Sequence, residues 1–507
     1  MKTLSEVRKN TYYDSVSLMG LSKRLLDAPG ITAISVSMGT DMNKQILVDG
    51  GFDSSSLAGA SPNDLMIACS YDDACDPEDV MALIEEALTV QNGPGADHVE
   101  RPRTLSAAAE QIEATIAVVS VPGAYAAAEA RKALDRNLHV LMFSDNVSLE
   151  DEVELKELAH SKGLLMMGPD CGTCIFQGKA FCFANKVGRG GVGIVSASGT
   201  GSQEVSVLLH EAGIGISQLI GTGGRDLSRE VGGIMFLDAF DALEADPCTS
   251  HILLVSKPPH ETVAQRVRER IARCEKPVVA CFLGAKPGRR ADGAVWADGL
   301  EEAVDAMVRL VCPERAPRED RLPSPGKTAS GRHLRGLFCG GTLMEEAKLA
   351  FMRELPTADV RSNSPKGGAL PLEDPSKSVA NTFLDLGDDR FTCGKPHPMI
   401  DPDIRNARIV AEAADPETAV ILLDFVLGYG AHEDPVQAAL PAIDEAQRIA
   451  AADKRSIVFV AYVLGTDDDP QDKRRQRDLL ERQGVLVCES NAQAAKLSAS
   501  LVKELQR

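Results

Sequence analysis

The fold is decided by the stretch Gly191 to Glu204, which reads GVGIVSASGTGSQE. Val192, Ile194 and Val195 read as a short buried strand, and a helical pattern begins at Ser202. Between them lie only serine, alanine, glycine and threonine. At the carboxyl end of a buried strand such residues expose a nucleophile, cradle an anion, or make a tight turn. A nucleophile elbow requires Gly-x-Ser-x-Gly, and neither Ser196 nor Ser198 has glycine both two residues before and two after. No Asp and His at recognisable spacing completes a triad. As an anion cradle, Ser198 and Thr200 offer hydroxyls and Gly199 and Gly201 let the backbone approach. The first N–H groups of the helix then carry the partial positive charge. A plain helix cap uses the same residues, so the turn alone leaves both readings open.

Three companion turns favour the cradle. GTGGRDLS (Gly221 to Ser228) brings Gly223 and Gly224. FCGGTLMEE (Phe338 to Glu346) brings Gly340, Gly341 and Thr342. VLGYGAHED (Val426 to Asp434) brings Gly428, Gly430 and His432. Four glycine-rich strand ends in two α/β units predict anionic sites facing each other between domains.

Working outward, short apolar runs alternate with helical stretches from about Ala114 to Leu310: TIAVVSVP, HVLMFSDN, LLMMGPD, GVGIVSAS, SHILLVS and PVVACFLG. This pattern predicts parallel sheets covered on both faces. PERAPREDRLPSPGKTASG reads as a linker, and the pattern resumes after it with HLRGLFCGG, NTFLDLGDD, TAVILLDFVLGYGAH and SIVFVAYVLGT. Residues 1–100 read as a small α+β domain, 101–188 as a Rossmann-like unit, 189–312 as a second α/β unit, 313–331 as linker and 332–507 as a flavodoxin-type domain. In KPHPMIDP, His397 sits between two prolines in a loop after FLDLGD, where functional groups collect. It is a candidate to bind a carboxylate as a cation or to assist proton transfer.

The 507 residues carry 54 basic and 74 acidic side chains, a formal charge of −20, which argues against nucleic acid or a membrane as partner. The N-terminus MKTLSEVRKN has no apolar core and no run is long enough to span a bilayer, so a cytoplasmic protein is expected. The 12 cysteines are then expected to be reduced. Only Cys171 and Cys174, in DCGTC, have C-x-x-C spacing. With no second pair, a metal site is not expected.

GPDCGTCIFQGK and the following GRGGVGIVSASGTGSQEVSVLLHEAGIGISQLIGTGGRD resemble the α subunit of succinyl-CoA synthetase and other NDP-forming acyl-CoA synthetases. FLDLGDD with AVILLDFVLGYGAHED is similar to the β-subunit ligase domain of that enzyme. YYDSVSLMGLSKRL, MGTDMNKQIL, SPNDLMIA and FTCGKPHPMIDP look like the FdrA family, which joins these ligase-type units behind its own N-terminal domain. The resemblance implies a CoA-binding-like unit at 101–188 and ligase-like units at 189–312 and 332–507. It also implies a subunit that works with two others as a carbamoyltransferase. Its reaction would be phosphorolysis of oxalurate to oxamate and carbamoyl phosphate in purine-ureide breakdown, with phosphate as a substrate.

The departures matter. The synthetases carry phosphate on a histidine, and the corresponding stretch GAKPGRRADGAVWADG (Gly284 to Gly299) contains none, Asp292 standing near the place. No ATP-grasp domain fits the remaining length and the opening glycine loop of the CoA domain is missing, so neither ATP nor CoA is an expected cofactor. Two alternatives stay open: an acyl-CoA synthetase-like enzyme or subunit, and a non-catalytic scaffold. A homo-oligomer is left open as well.

Overall fold

The computed structural model describes residues 2–11, 13, 15–26, 28–40, 43–44, 47–48, 52, 57, 59–73, 75–90, 102, 104–285, 290–291, 293–315, 322–324, 329–392 and 395–505. Asp292, residues 41, 42 and 45 of the MGTDMNKQ turn, the stretch 91–100 and much of the 313–331 linker lie outside them. The chain divides into two units, Met1–Pro102 and Arg103–Arg507.

In the first unit, strands Lys2–Arg8, Leu65–Tyr71 and Ile31–Met38 form an antiparallel sheet in that spatial order. Helices Ser15–Leu26 and Pro77–Val90 pack on it through Leu18, Leu21, Leu25, Ile84 and Leu88. The strand Lys2–Arg8 was not expected. KTLSEVR offers only Leu4 and Val7, and its place is fixed by pairing with the apolar central strand rather than by its own pattern.

The second unit contains three sheets. A small parallel one pairs Ile116–Val119, His139–Met142 and Met166–Met167. The second has eight strands in the order Arg290–Ala291, Ala294–Ala297, Val278–Phe282, His251–Ser256, Arg189–Ser196, Ile216–Gly221, Thr173–Phe176 and Lys179–Cys182. Its middle five strands are parallel. The hairpin Thr173–Cys182 adds antiparallel to this sheet, so the expected boundary at residue 188 is not where the sheets divide. The hydrogen-bonding edge of Ile216–Gly221 claims the hairpin, which sequence proximity had assigned to the preceding unit.

The third sheet is parallel throughout, in the order Leu370–Pro371, Val360–Ser362, Asn381–Asp385, His333–Phe338, Thr418–Val426, Val458–Leu464 and Leu486–Cys488. Every residue of Thr418–Val426 is buried, as expected for a strand with helices on both faces. The chain is thus an α/β protein built of parallel sheets behind a small antiparallel N-terminal domain. The order of strands reverses beside Arg189–Ser196 in the second sheet and beside His333–Phe338 in the third, and at such reversals strand ends open a crevice for ligands.

Candidate functional site: two helix starts that meet

Helix Gly199–Glu211 follows directly from strand Arg189–Ser196. Its N-cap is Ser198, whose hydroxyl accepts the Gly201 N–H at 3.1 Å. Helix Gly341–Glu354 follows strand His333–Phe338 in the same way, but Gly340 provides no side-chain cap. Asp424 replaces one, accepting the N–H groups of Cys339 at 2.7 Å and Gly340 at 2.8 Å. The two helix starts touch. The Ser198 and Thr342 hydroxyls are 2.6 Å apart, and a Cβ at Gly340 would stand 2.9 Å from the Thr200 methyl.

Among the described residues no acceptor takes the N–H groups of Gly199, Thr200, Gly341 or Thr342, the orphan donors expected in a first helical turn. Thr173 adds a further donor. Its hydroxyl is buried without a partner and lies 3.8 Å from the Cβ direction of Gly199. Two sets of helix-start donors and a hydroxyl from the DCGTC segment therefore converge, which is the chemistry of a phosphate or carboxylate cradle.

The other two turns do different work. After Gly221 the chain stays in turns until helix Ile234–Ala245, so Gly223 and Gly224 do not open a helix as the sequence suggested. Asp226 and the Lys156 ammonium hold that loop: Lys156 donates to Asp226 at 2.7 Å, to Glu152 at 2.8 Å and to the Thr222 carbonyl at 2.9 Å. The turn with Gly428 and Gly430 packs onto the carbonyls of Phe183 and Cys182. Most of its N–H groups are taken within the protein, Gly428 by Gln471 at 3.2 Å, Tyr429 by the Ala184 carbonyl at 3.3 Å and His432 by the Met399 carbonyl at 2.8 Å. It is a lock between the second and third sheets rather than an anion-facing turn. Gln203 and Asn185 tighten that lock, both donating to the Leu427 carbonyl.

His397 stands against Gly387 and beside the Phe183 ring, 6.2 Å between centroids. The Met399 N–H donates to its Nδ1 at 3.2 Å, which leaves the ring proton on Nε2. Burial, opposed by Asp145, lowers its pKa to about 4. Burial thus disfavours the cationic role considered from the sequence, and a proton-transfer role is compatible with this geometry.

Sequence reasoning missed four acidic groups and a cation. Asp385, at the end of strand Asn381–Asp385, presses its carboxylate against Gly341 and accepts the Gly387 N–H at 3.0 Å. Burial raises its pKa to about 6 while Lys257, at the end of strand His251–Ser256, pulls it down. Asp424 is raised by burial and opposed by Arg405. Deeper between the two helices lie Glu204 and Glu346. Burial and the neighbouring Glu346 raise Glu204 to about 8, with the Tyr462 hydroxyl and Lys473 opposing. Burial also raises Glu346, which accepts the Leu300 N–H at 2.7 Å and the Asn491 amide at 2.8 Å. One signal was there to find: both helices open on Gly-Thr-x-x-x-Glu, Gly199 to Glu204 and Gly341 to Glu346.

Comparison with known proteins agrees with this architecture. Residues 1–103 match the family described as "AllF, heavy metal-associated domain", 189–284 a "CoA binding domain", and 337–501 a "CoA-ligase". "Uncharacterized protein YahF" of Escherichia coli (strain K12) is 47% identical over 507 residues, covering 98% of each chain. The chain belongs to the FdrA-like family of YahF. The α1 subunit of an ADP-forming succinate–CoA ligase from Archaeoglobus fulgidus is 30% identical over 221 residues, 41% of this chain and 72% of that protein. Among solved structures, the dinucleotide-forming acetyl-coenzyme A synthetase 1 of Ca. Korarchaeum cryptofilum, in complex with phosphate and ADP, aligns over 82% of this chain and 88% of its own. Its identity is 17% and the TM-score 0.35. The fold family is that of the succinyl-CoA synthetases and related acyl-CoA ligases.

No helix among the described residues is long and apolar enough to cross a membrane.

Proposed function

We propose that this chain is the phosphate-binding subunit of a carbamoyltransferase that splits oxalurate, or a related ureido acid, with phosphate to give oxamate and carbamoyl phosphate. The observation that carries the reading is the convergence of the Gly199 and Gly341 helix starts, joined by the Ser198–Thr342 contact. Membership of the FdrA-like family supports it. In this reading phosphate lies on the N–H groups of Gly199, Thr200, Gly341 and Thr342 and on the Thr173 hydroxyl. It attacks the ureido carbonyl, and the same donors steady the charge that develops on the tetrahedral intermediate. Holding both reactants at one cradle supplies the proximity that a reaction without nucleotide or covalent carrier requires.

A ligase-type activity is the second reading, favoured by the CoA-ligase and CoA binding domain matches. The absence of histidine from Gly284–Gly299 opposes it. Two helix starts each contribute about 1–2 kcal/mol toward a bound anion, far below a transferase barrier, so the isolated chain binds phosphate weakly and two partner subunits complete the site. The test is turnover of oxalurate and phosphate by the chain alone and by the complex purified with its native partners. Carbamoyl phosphate from the complex only is expected, and full activity of the chain alone would refute the need for partners.

A further inference from the structure

Asp385 and Lys257 are adjacent in charge yet belong to different sheets. Lys257 follows strand His251–Ser256, which lies next to Arg189–Ser196 at the reversal of the second sheet, so it emerges beside the Ser198 turn. Asp385 ends the strand next to His333–Phe338 in the third sheet and touches Gly341, the first residue of the second helix. The cradle is therefore bracketed by a cation from one sheet and a carboxylate from the other. Asp385 is half-buried, with one oxygen held by the Gly387 N–H at 3.0 Å and the other turned to the helix start. On the far side of Gly387 stands the His397 ring. The Gly387 N–H accounts for only one oxygen of the carboxylate: Asp424 already satisfies the Cys339 and Gly340 N–H groups, and the Asn363 side chain bonds the Asp385 backbone.

We propose that Asp385 is the proton-transfer residue of this site and that Lys257 balances its charge and receives the carboxylate of the ureido acid; this rests on the carbamoyl-transfer reading. A phosphate oxygen attacks the ureido carbonyl carbon and a C–O bond forms. The C–N bond to the acyl amide then breaks, its electron pair remaining on nitrogen. The proton of hydrogen phosphate passes to Asp385 and from it to that nitrogen, so that carbamoyl phosphate and a neutral amide leave with no other reactant. A carboxyl group titrating within about a unit of neutrality suits both halves of this transfer, and Asp385 titrates at about 6. The charged and titratable groups facing it are Lys257, Asp388, Asp424, Arg390 and the Cys339 thiol.

The test has two arms. Sulfate keeps its charge from pH 5 to 8, so calorimetry of sulfate binding to the full chain reads protein groups alone. Binding several-fold tighter at pH 5 than at pH 8 is expected, with a step near pH 6 that Asp385→Asn abolishes and Lys257→Met moves upward while weakening affinity. In the assembled complex, Asp385→Asn should lower kcat by about 100-fold or more with little change in the KM for phosphate. Wild-type kcat in that variant, or a sulfate step that survives it, overturns the proposal. A wild-type complex inert toward ureido acids while the sulfate step is present sinks the transferase reading instead, and leaves Asp385 as a group of the anion site.

Discussion

The Ser198 and Thr342 side chains, 144 residues apart in sequence, share a buried hydrogen bond of 2.6 Å. It joins the second sheet to the third at the point where their helices begin. Replacing either hydroxyl strands the other, which costs about 1–3 kcal/mol when a polar group is buried. Ser198→Ala and Thr342→Val should each lower the thermal midpoint, and the double variant should lose less than the sum. Strict additivity in that cycle would show that the two groups do not interact.

Gly199 and Gly341 should respond differently to enlargement. A Cβ at Gly199 meets only the Thr173 hydroxyl, at 3.8 Å, whereas a Cβ at Gly341 collides with the Asp385 carboxylate. Gly199→Val is expected to fold with a midpoint near that of the parent chain yet bind phosphate at least tenfold more weakly. Gly341→Val should lose both binding and stability. Parental phosphate affinity in Gly199→Val, measured by calorimetry, would count against the cradle.

Glu204 predicts a pH dependence of stability. Its folded pKa of about 8 lies above the ordinary glutamate value of 4.5, so the native state holds a proton that the unfolded chain releases. The stability tied to that proton is complete below about pH 4.5 and is lost as pH rises toward 8. The loss is on the order of a few kcal/mol. Glu204→Gln should flatten this decline in urea titrations between pH 5 and 8. An unchanged slope would show that Glu204 does not carry it.

His397 has the opposite sign. A folded pKa of about 4 against the usual 6.5 means that the native state resists protonation, so stability is lost as pH falls from 6.5 toward 4. His397→Gln should reduce that acid-side loss. In the complex, where Asp385 carries the proton to the leaving amide, His397→Ala should lower turnover far less than Asp385→Asn does, its ring packing against Gly387 and Phe183. A loss as large as that of Asp385→Asn would assign the proton transfer to His397 instead.

With no histidine between Gly284 and Gly299, incubation with labelled ATP, succinate and CoA should leave the chain unlabelled and produce no thioester. An acid-labile, base-stable phosphoprotein would establish a phosphohistidine elsewhere and revive the ligase reading.

The turns that mattered most were visible in the sequence because local chemistry makes them. Strand, small residues and helix follow one another within Gly191–Glu204 and within Phe338–Glu346. The same local signal misled at Gly221–Gly224, where Lys156, far away in the chain, ties the segment into a loop. It misled again at Gly428–His432, where the N–H groups of Gly428, Tyr429 and His432 are taken by Gln471 and by the carbonyls of Ala184 and Met399. Asp385, Lys257 and Thr173 were illegible for a related reason. Each is an ordinary residue at a strand end or in a hairpin, and only the packing of one sheet against another gives it a neighbour worth noticing.

The buried amides of Gln203 and Asn185 that grip the Leu427 carbonyl give the cradle an unusual relation to dilution. Its two walls are parts of one polypeptide, so they meet at an effective concentration set by the chain and not by the amount of protein in solution. On the proposed function, diluting the protein should leave the cradle whole, with phosphate occupancy set by phosphate alone. Catalysis, which that proposal assigns to a complex with separate partners, should fall away as the complex dissociates. Anion binding and turnover should therefore part company at low protein concentration, one constant and the other vanishing.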